Sequence, residues 1–410
     1  MSAKNVIYLD NNATSRVAPE VTEAMLPFFN DLYGNPSSMH TFGGQVARYV
    51  RAAREQVAQL FNVEPEEIIF TSCGTESDNA AIMGTLRSYP HKKHFITTRV
   101  EHPAILNVAR FLRDHGYRVT ELSVDHEGLL NLDELRNALD DDTALVSIMT
   151  ANNETGVLFP IEEIAQIVKE RGIPFHTDAV QAAGKIPMDL KKMQVDMLSL
   201  SGHKLHAPKG IGVLYLRRGT RFVPFMMGGH QESGMRGGTE NVPYIVGMGK
   251  AAELAMKHMD EENTRVRAMR DRLERELLKR IPNCRRNGSE QHRTPNTSNI
   301  SFEYIEGESI LLLLNAEGIC ASSGSACTSG SLEPSHVLRA MGTPFTAAHG
   351  SVRFSFSVYN TEAEVDQVIE KMPGIIQKIR DISPFWHDFK MGRAISPLLT
   401  GEDAQHHHDH

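Results

Sequence analysis

The sequence predicts an α/β protein: a large, doubly wound, mostly parallel sheet domain followed by a smaller α+β unit. From about Glu67 to Leu216, short apolar runs alternate with amphipathic segments, which is the βαβα order of a parallel sheet covered on both faces. After about Asn241 that alternation stops, giving way to a long charged helical stretch and then to mixed strands and helices. Length adds a third observation, since 410 residues suit about two or three domains and a core that needs no covalent staples.

The elements follow in order. Glu67–Ser72 (EIIFTS) reads as a strand and Glu76–Arg87 as a helix. His94–Arg99 is a strand, Pro103–His115 a helix, Tyr117–Val124 a strand and Leu132–Leu139 a helix. Ala144–Met149 is a buried strand, Ile161–Arg171 a helix and Pro174–Asp178 the next strand. Asp196–Leu200 and Gly212–Leu216 are further strands. Val246–Leu278 is helical and so charged that its face reads as solvated or as a connector. Beyond Pro282, strands at Thr297–Phe302 and Val352–Val358 join helices at Glu308–Glu317 and Glu362–Arg380. From Ser383 on the chain reads as a poorly ordered tail. Its terminal HHHDH reads as an expression remnant or a solvated end before it reads as a metal site.

Composition excludes several classes. The charge of 43 − 51 = −8 argues against nucleic acid as the default partner, because such binding needs a basic face. Four cysteines (Cys73, Cys284, Cys320 and Cys327) are too few for a disulfide framework, and no CxxC pair suggests structural zinc. No apolar run approaches the ~18 residues of a membrane span, and the first ten residues lack a secretory pattern. A reducing cytoplasm, where a free thiol can react, is the expected location.

Two strand ends carry the central chemical signal. Lys204, in Ser201-Gly202-His203-Lys204, follows one apolar strand, and Asp178, in His176-Thr177-Asp178-Ala179-Val180-Gln181, ends another. Alone, a surface lysine and a helix-capping aspartate are ordinary. Together, at the edge where open α/β sheets bind ligands, they form the pair that pyridoxal phosphate needs: an amine for the aldehyde and an acid for the pyridine nitrogen. Gln181 lies within reach of the ring's phenolic oxygen. Gly74 and Thr75 open a helix after a strand, a natural phosphate seat, with Ser201 and His203 as further donors. No GxGxxG follows a strand and no Walker motif occurs, so nucleotide readings find no support. His102 starts a helix where an imidazole can stack on a ring or shuttle a proton, though a capping role is equally open. Arg353, in a strand-like run, offers a fork for a carboxylate, though an edge-strand arginine is more often solvated.

Cys327 differs from the other cysteines. It sits in Ala321-Ser322-Ser323-Gly324-Ser325-Ala326-Cys327-Thr328-Ser329-Gly330-Ser331, among small residues of high chain entropy. That setting reads as a thiol on a mobile loop, whereas Cys73, Cys284 and Cys320 read as packing or incidental.

Taken together, these motifs closely resemble the cysteine desulfurases, pyridoxal-phosphate enzymes of fold type I in the class V aminotransferase group. The resemblance is nearly full length, from Tyr8–Thr14 through Gly34–Ser38, Thr71–Asn79, Glu101–Pro103 and Ala151–Gly156 to His176–Gln181, Ser201–Lys204 and Ser322–Ser331. The long cysteine loop is similar to that of the NifS and IscS branch, and Cys73 and Ala207 are closer to its NifS side. The resemblance implies a large pyridoxal-phosphate domain at 14–260, a small domain of 1–13 with 261–382 that carries the cysteine loop, and a flexible tail at 383–410. It implies Lys204 as the Schiff-base lysine and Asp178 as the pyridinium partner, with Gln181 on the ring oxygen and His102 on the ring face. Gly74, Thr75, Ser201 and His203 would hold the phosphate, joined by Thr239 from the other subunit of a homodimer. Asn153 would serve cofactor and substrate, with Arg353 on the substrate carboxylate. L-Cysteine would yield L-alanine and a persulfide on Cys327, with His102 as a proton acceptor for the attacking thiol and no metal required. The sulfur would then pass to an acceptor such as an iron–sulfur scaffold protein. Alternatives are a selenocysteine lyase or another enzyme on this scaffold, and a cofactor-free regulator.

Overall fold

The computed structural model describes residues 6–323 and 334–393, so Cys327 lies outside the described residues. Among the described residues twelve strands run in chain order: β1 (Ile7–Tyr8), β2 (Ile68–Thr71), β3 (His94–Thr98), β4 (Arg118–Leu122), β5 (Thr143–Ser147) and β6 (Phe175–Asp178), then β7 (Met197–Ser201), β8 (Gly212–Leu216), β9 (Cys284–Arg286), β10 (Thr297–Phe302), β11 (Ile319–Cys320) and β12 (Ser351–Ser355). A seven-stranded sheet has the order β2-β8-β7-β6-β5-β3-β4. Only β8 runs against its neighbours, so the sheet is mostly parallel, as the sequence pattern predicts.

The side-chain alternation of each strand supplies both faces of this sheet. Ile96, Val146, Leu198 and Val213 enter one core, packed beneath helices Thr41–Phe61, Ile161–Glu170 and Val242–Glu261. Their chain neighbours Phe95, Leu145, Met197 and Leu214 enter the opposite core, under helices Gly74–Ser88 and Pro103–Asp114. Because both faces are covered, β3, β5, β6 and β7 are buried along their whole length, and their free C-terminal ends become the place for a ligand.

A second sheet has the order β12-β10-β9 and is antiparallel; β1 and β11 pair in parallel beside it. Its core draws on Ile7 and Leu9 together with Leu273, Phe302, Ile310, Phe354, Phe356 and Val368. Val337, Leu338, Met341 and Ala348 pack instead against the large sheet's core, on the far side of the cysteine segment.

Two sequence expectations need correction, and one helix lies outside them. The charged stretch near Val246–Leu278 is not merely solvated. It forms helix Val242–Glu261, a π turn at Glu262–Val266 and helix Arg267–Arg280, and Glu262, Arg270 and Glu274 in it are buried. Those charges lie inside because they are paired: Lys185 Nζ reaches Glu262 at 2.7 Å, and Arg293 grips Glu274 with two bonds of 2.5 and 2.8 Å. The stretch expected to begin a flexible tail is a helix at Pro384–Lys390, capped by Ser383, with Trp386 buried under the Arg380 guanidinium at 4.0 Å. The 21-residue helix Thr41–Phe61, not foreseen from the sequence, packs along helix Val242–Glu261, where Gly249 admits the Ala53 backbone too closely for any Cβ.

Candidate active site

The C-terminal ends of β6 and β7 lie side by side, with Asp178 opposite Ser199 in the register. β6 ends at Asp178; β7 ends at Ser201 and turns through Gly202–Lys204. A cavity of about 300 Å³ opens there. Its lining includes Gly74, Thr75, His102, Asn153, Asp178, Gln181, Ser201, His203, Lys204 and Arg353, so ten of the twelve residues singled out from the sequence meet in one place. Of the other two, Cys327 lies outside the described residues, and Thr239 is exposed and lines a separate cleft with Ser72, Glu232 and Arg236.

The amine end is held by backbone. Lys204 Nζ donates to the carbonyls of Asn12 at 2.5 Å and Ala13 at 2.6 Å. Gln181 Nε2 donates to the same Asn12 carbonyl at 3.1 Å. Asn12 is therefore an organising residue, and its side chain extends the network to the Asn153 carbonyl and Thr297. Sequence reasoning did not single out Asn12, since a backbone carbonyl leaves no residue-type signal. The polar run Asp10–Thr14 between β1 and the first helix was the available hint.

The acid end is dry. Asp178 is 6% exposed, and burial raises its carboxyl pKa to about 6, against the pull of the Val180 amide (2.8 Å) and the Lys204 charge. Asp78, a second cavity-lining carboxylate, is pushed well above the usual range by burial and by Asp178. The imidazoles nearby are neutral: burial, and then the Lys204 charge, bring His102 and His203 down to about 4. The Ala104 amide donates to His102 Nδ1 at 3.1 Å, so the ring's proton sits on Nε2. His102 caps helix Pro103–Asp114, as one of its two sequence readings has it, and it also lines the cavity. With its lone pair engaged, the ring presents a donor edge, which does not suit the role of proton acceptor.

At the third side, helix Gly74–Ser88 points its first amides, which have no preceding turn to bond to, at the cavity. A Cβ on Gly74 would come within 2.9 Å of Val180 Cγ2, so glycine keeps this backbone open. Cys73, which the sequence reads as packing or incidental, has a part here: its Sγ caps the helix by accepting from the Glu76 amide at 3.4 Å, and it lines the cavity.

Arg353, on β12, is 3% exposed and turns inward instead of lying solvated. Its guanidinium donates to the Asn153 carbonyl and to Asp10 Oδ1, each at 2.9 Å, while Nε is buried without a partner. The described residues flanking the cysteine segment are also fastened here. Ser322 bridges to Arg353, Ser335 bonds Glu154, and His336 Nε2 meets the Glu101 carbonyl at 2.9 Å.

This fold and cavity define a class: residues 7–368 match the family model "Aminotransferase class-V", a group of pyridoxal-phosphate enzymes. A cysteine desulfurase of Trichormus azollae is 63% identical over 94% of this chain and 96% of its own. Cysteine desulfurase NifS of Azotobacter vinelandii is 58% identical over 93% and 95%. A solved NifS-like protein superposes with a TM-score of 0.86 at 39% identity, covering 91% of this chain and all of that one. A structure of SspA in complex with cysteine does so at 0.77 and 36%, covering 87% of this chain and 100% of that one. The chain belongs to the cysteine desulfurase family.

The residues present fit pyridoxal phosphate. A buried carboxylate with a raised pKa awaits a cation, Asp78 Oδ1 is buried without a hydrogen bond, and a glycine-lined helix start suits an anion.

Proposed function

We propose that this cavity binds pyridoxal phosphate and L-cysteine, and that the protein converts L-cysteine to L-alanine while moving the sulfur onto Cys327 as a persulfide. The observation that carries this reading is the meeting of Lys204, Asp178, Gln181 and the Gly74 helix start in one cavity that Arg353 also enters. Gly74, Thr75, Ser201 and His203 would hold the phosphate, Asp178 the pyridine nitrogen, Gln181 the ring oxygen and Lys204 the aldehyde. His102 would lie on the ring face, with Asn153 beside both cofactor and substrate. When bound, the cofactor supplies an electron sink for the substrate's Cα.

The chain's own residues do the rest. Arg353 orients the α-carboxylate with its fork. The Lys204 amine takes the Cα proton, held over the site by the Asn12 and Ala13 carbonyls. The Cys327 thiolate attacks the substrate's sulfur: an S–S bond forms, the C–S bond breaks, and the thiol proton and the Cα proton both end on the product. Overall, cysteine plus the Cys327 thiol gives alanine plus the Cys327 persulfide. Because His102 presents Nε2–H, it orients and does not take the thiol proton.

A second copy of this chain would complete the phosphate seat through Thr239. Support comes from exposed Tyr33, Met39 and Met227, and from a 3.5 Å contact that ties Ser37 to Glu240, next to Thr239. The domains would be a large one at 14–260 and a small one of 1–13 with 261–382. The acceptor is an iron–sulfur scaffold protein, and the location is cytoplasmic. No helix among the described residues is long and apolar enough to cross a membrane. Incubating the purified, cofactor-loaded protein with L-cysteine tests the activity: alanine and sulfide appear together in the presence of a thiol, and their absence refutes it. Sedimentation at twice the chain mass checks the dimer.

A further inference from the structure

The cavity contains two carboxylates where a pyridine nitrogen needs one. Asp178 ends β6, whereas Asp78 comes from the second turn of helix Gly74–Ser88 and is 2% exposed. Asp78 Oδ1 has no hydrogen-bond partner. The groups that face Asp78 are Cys73 on its own helix, Asp178 and His176 on β6, Ser199 on β7 and Glu101 after β3. None is a cation at neutral pH. His176 Nε2 stands 3.7 Å away, but its ring nitrogens are engaged by Ser147 Oγ (2.8 Å) and Ser199 Oγ (2.9 Å), and burial pushes its pKa down to about 3. The Lys204 charge acts on Asp178. Two charged carboxylates in this dry site would repel strongly, so the pair retains a proton; the Lys204 charge holds Asp178 ionised, and Asp78 keeps the proton against the pull of a Ser199 hydrogen bond.

We propose that Asp78 is a positioning residue of the cofactor site: a carboxylic acid that stays protonated at neutral pH, so that Asp178 alone offers negative charge to the ring nitrogen. The inference rests on the pyridoxal-phosphate reading of this cavity. At alkaline pH Asp78 gives its proton to solvent. The second negative charge then holds the ring's proton to higher pH than Asp178 alone would.

The test is infrared and visible spectroscopy of the cofactor-loaded protein, comparing wild type with Asp78→Asn. Asparagine keeps the size and the neutral charge and removes only the ionisation. The variant should keep its cofactor and colour at neutral pH, yet lose one carboxylic-acid C=O band. The alkaline transition of its visible band should move down by about one pH unit. An unchanged carboxylic-acid region, or an unmoved alkaline transition, overturns the proposal. Should Asp78→Asn not fold, titration of the wild type beside Glu101→Gln decides: a carboxylic-acid band present in both must fade at a pH below the alkaline visible transition, and the lack of such a band overturns the proposal. A wild type that takes up no pyridoxal phosphate defeats the cofactor reading as well; a coloured wild type with an unaltered variant defeats the Asp78 role alone.

Discussion

Arg353 and Ser322 hold each other by their backbones: the Arg353 amide donates to the Ser322 carbonyl at 2.7 Å, and the Ser322 amide returns a bond at 3.2 Å. The residue that turns a guanidinium into the cavity is therefore also the clamp for the segment leading to Cys327. In the proposed function, substrate recognition and sulfur transfer would both start from one strand, β12, with Ser322 fastened where the substrate's carboxylate would be held.

Arg353→Lys should separate charge from fork. Lysine keeps the positive charge but lacks the planar fork that can bond a carboxylate through two nitrogens while holding Asn153 and Asp10. The KM for cysteine should rise roughly 10- to 100-fold with the visible cofactor band unchanged. Steady-state kinetics check this, and an unaltered KM would remove Arg353 from substrate binding.

If Lys204 is both anchor and proton acceptor, as proposed, Lys204→Ala should abolish the cofactor's bound-state visible band and lower alanine formation by about 10²–10⁴-fold or more. Absorbance and amino-acid analysis read the two effects separately. Retained colour would contradict the anchor role.

Burial raises Glu101 to about 8, against hydrogen bonds from the Met149 amide and Thr98. The folded state thus holds a proton that the unfolded state has already lost above about pH 4.5. This stabilisation is full below pH 4.5 and is lost as pH rises toward 8, on the order of 1 kcal/mol per pH unit. Glu101→Gln should therefore gain stability relative to wild type across that window. His102, His176 and His203 have lowered pKa values, so they slope the other way below about pH 6.5, and the comparison cancels them. Denaturant melts at several pH values measure it, and parallel curves would refute it.

Gly156 closes the turn that carries Asn153, with φ +77°. A Cβ there would lie 2.8 Å from Thr297 Cβ and 2.9 Å from Thr294 Oγ1. Gly156→Ala should cost about 1–3 kcal/mol in folding. It should also weaken cysteine binding, because Asn153's carbonyl seats Arg353. A thermal melt and a KM determination check both effects.

What could be read from the residues follows a physical line. Asp178 and Lys204 stand out because parallel strands bury continuous apolar runs, so an acid or an amine at the end of such a run marks a ligand edge. Gly74 and Thr75 were legible from the same punctuation. Asn12 was not, because it acts on Lys204 and Gln181 through a carbonyl common to every residue. Asp78 was hidden because an acid in a helix ordinarily faces water, and only the tertiary packing against β6 shows it buried. Buried Glu274 and Arg293 were missed for the same reason: 19 residues apart in sequence, they become a pair only when β10 folds against helix Arg267–Arg280. Trp386 was discounted in a stretch whose neighbours offered no periodic apolar face.

The reaction itself hinges on where the sulfur goes. The cofactor-loaded protein should be given a limited amount of L-cysteine without an external thiol, quenched with an alkylating reagent and digested for peptide mass spectrometry. One added sulfur atom on the peptide containing Cys327, with alanine in equal amount, is the expected result. Alanine formed with the sulfur on Cys73, Cys284 or Cys320, or with no sulfur on any of the four, would contradict the account.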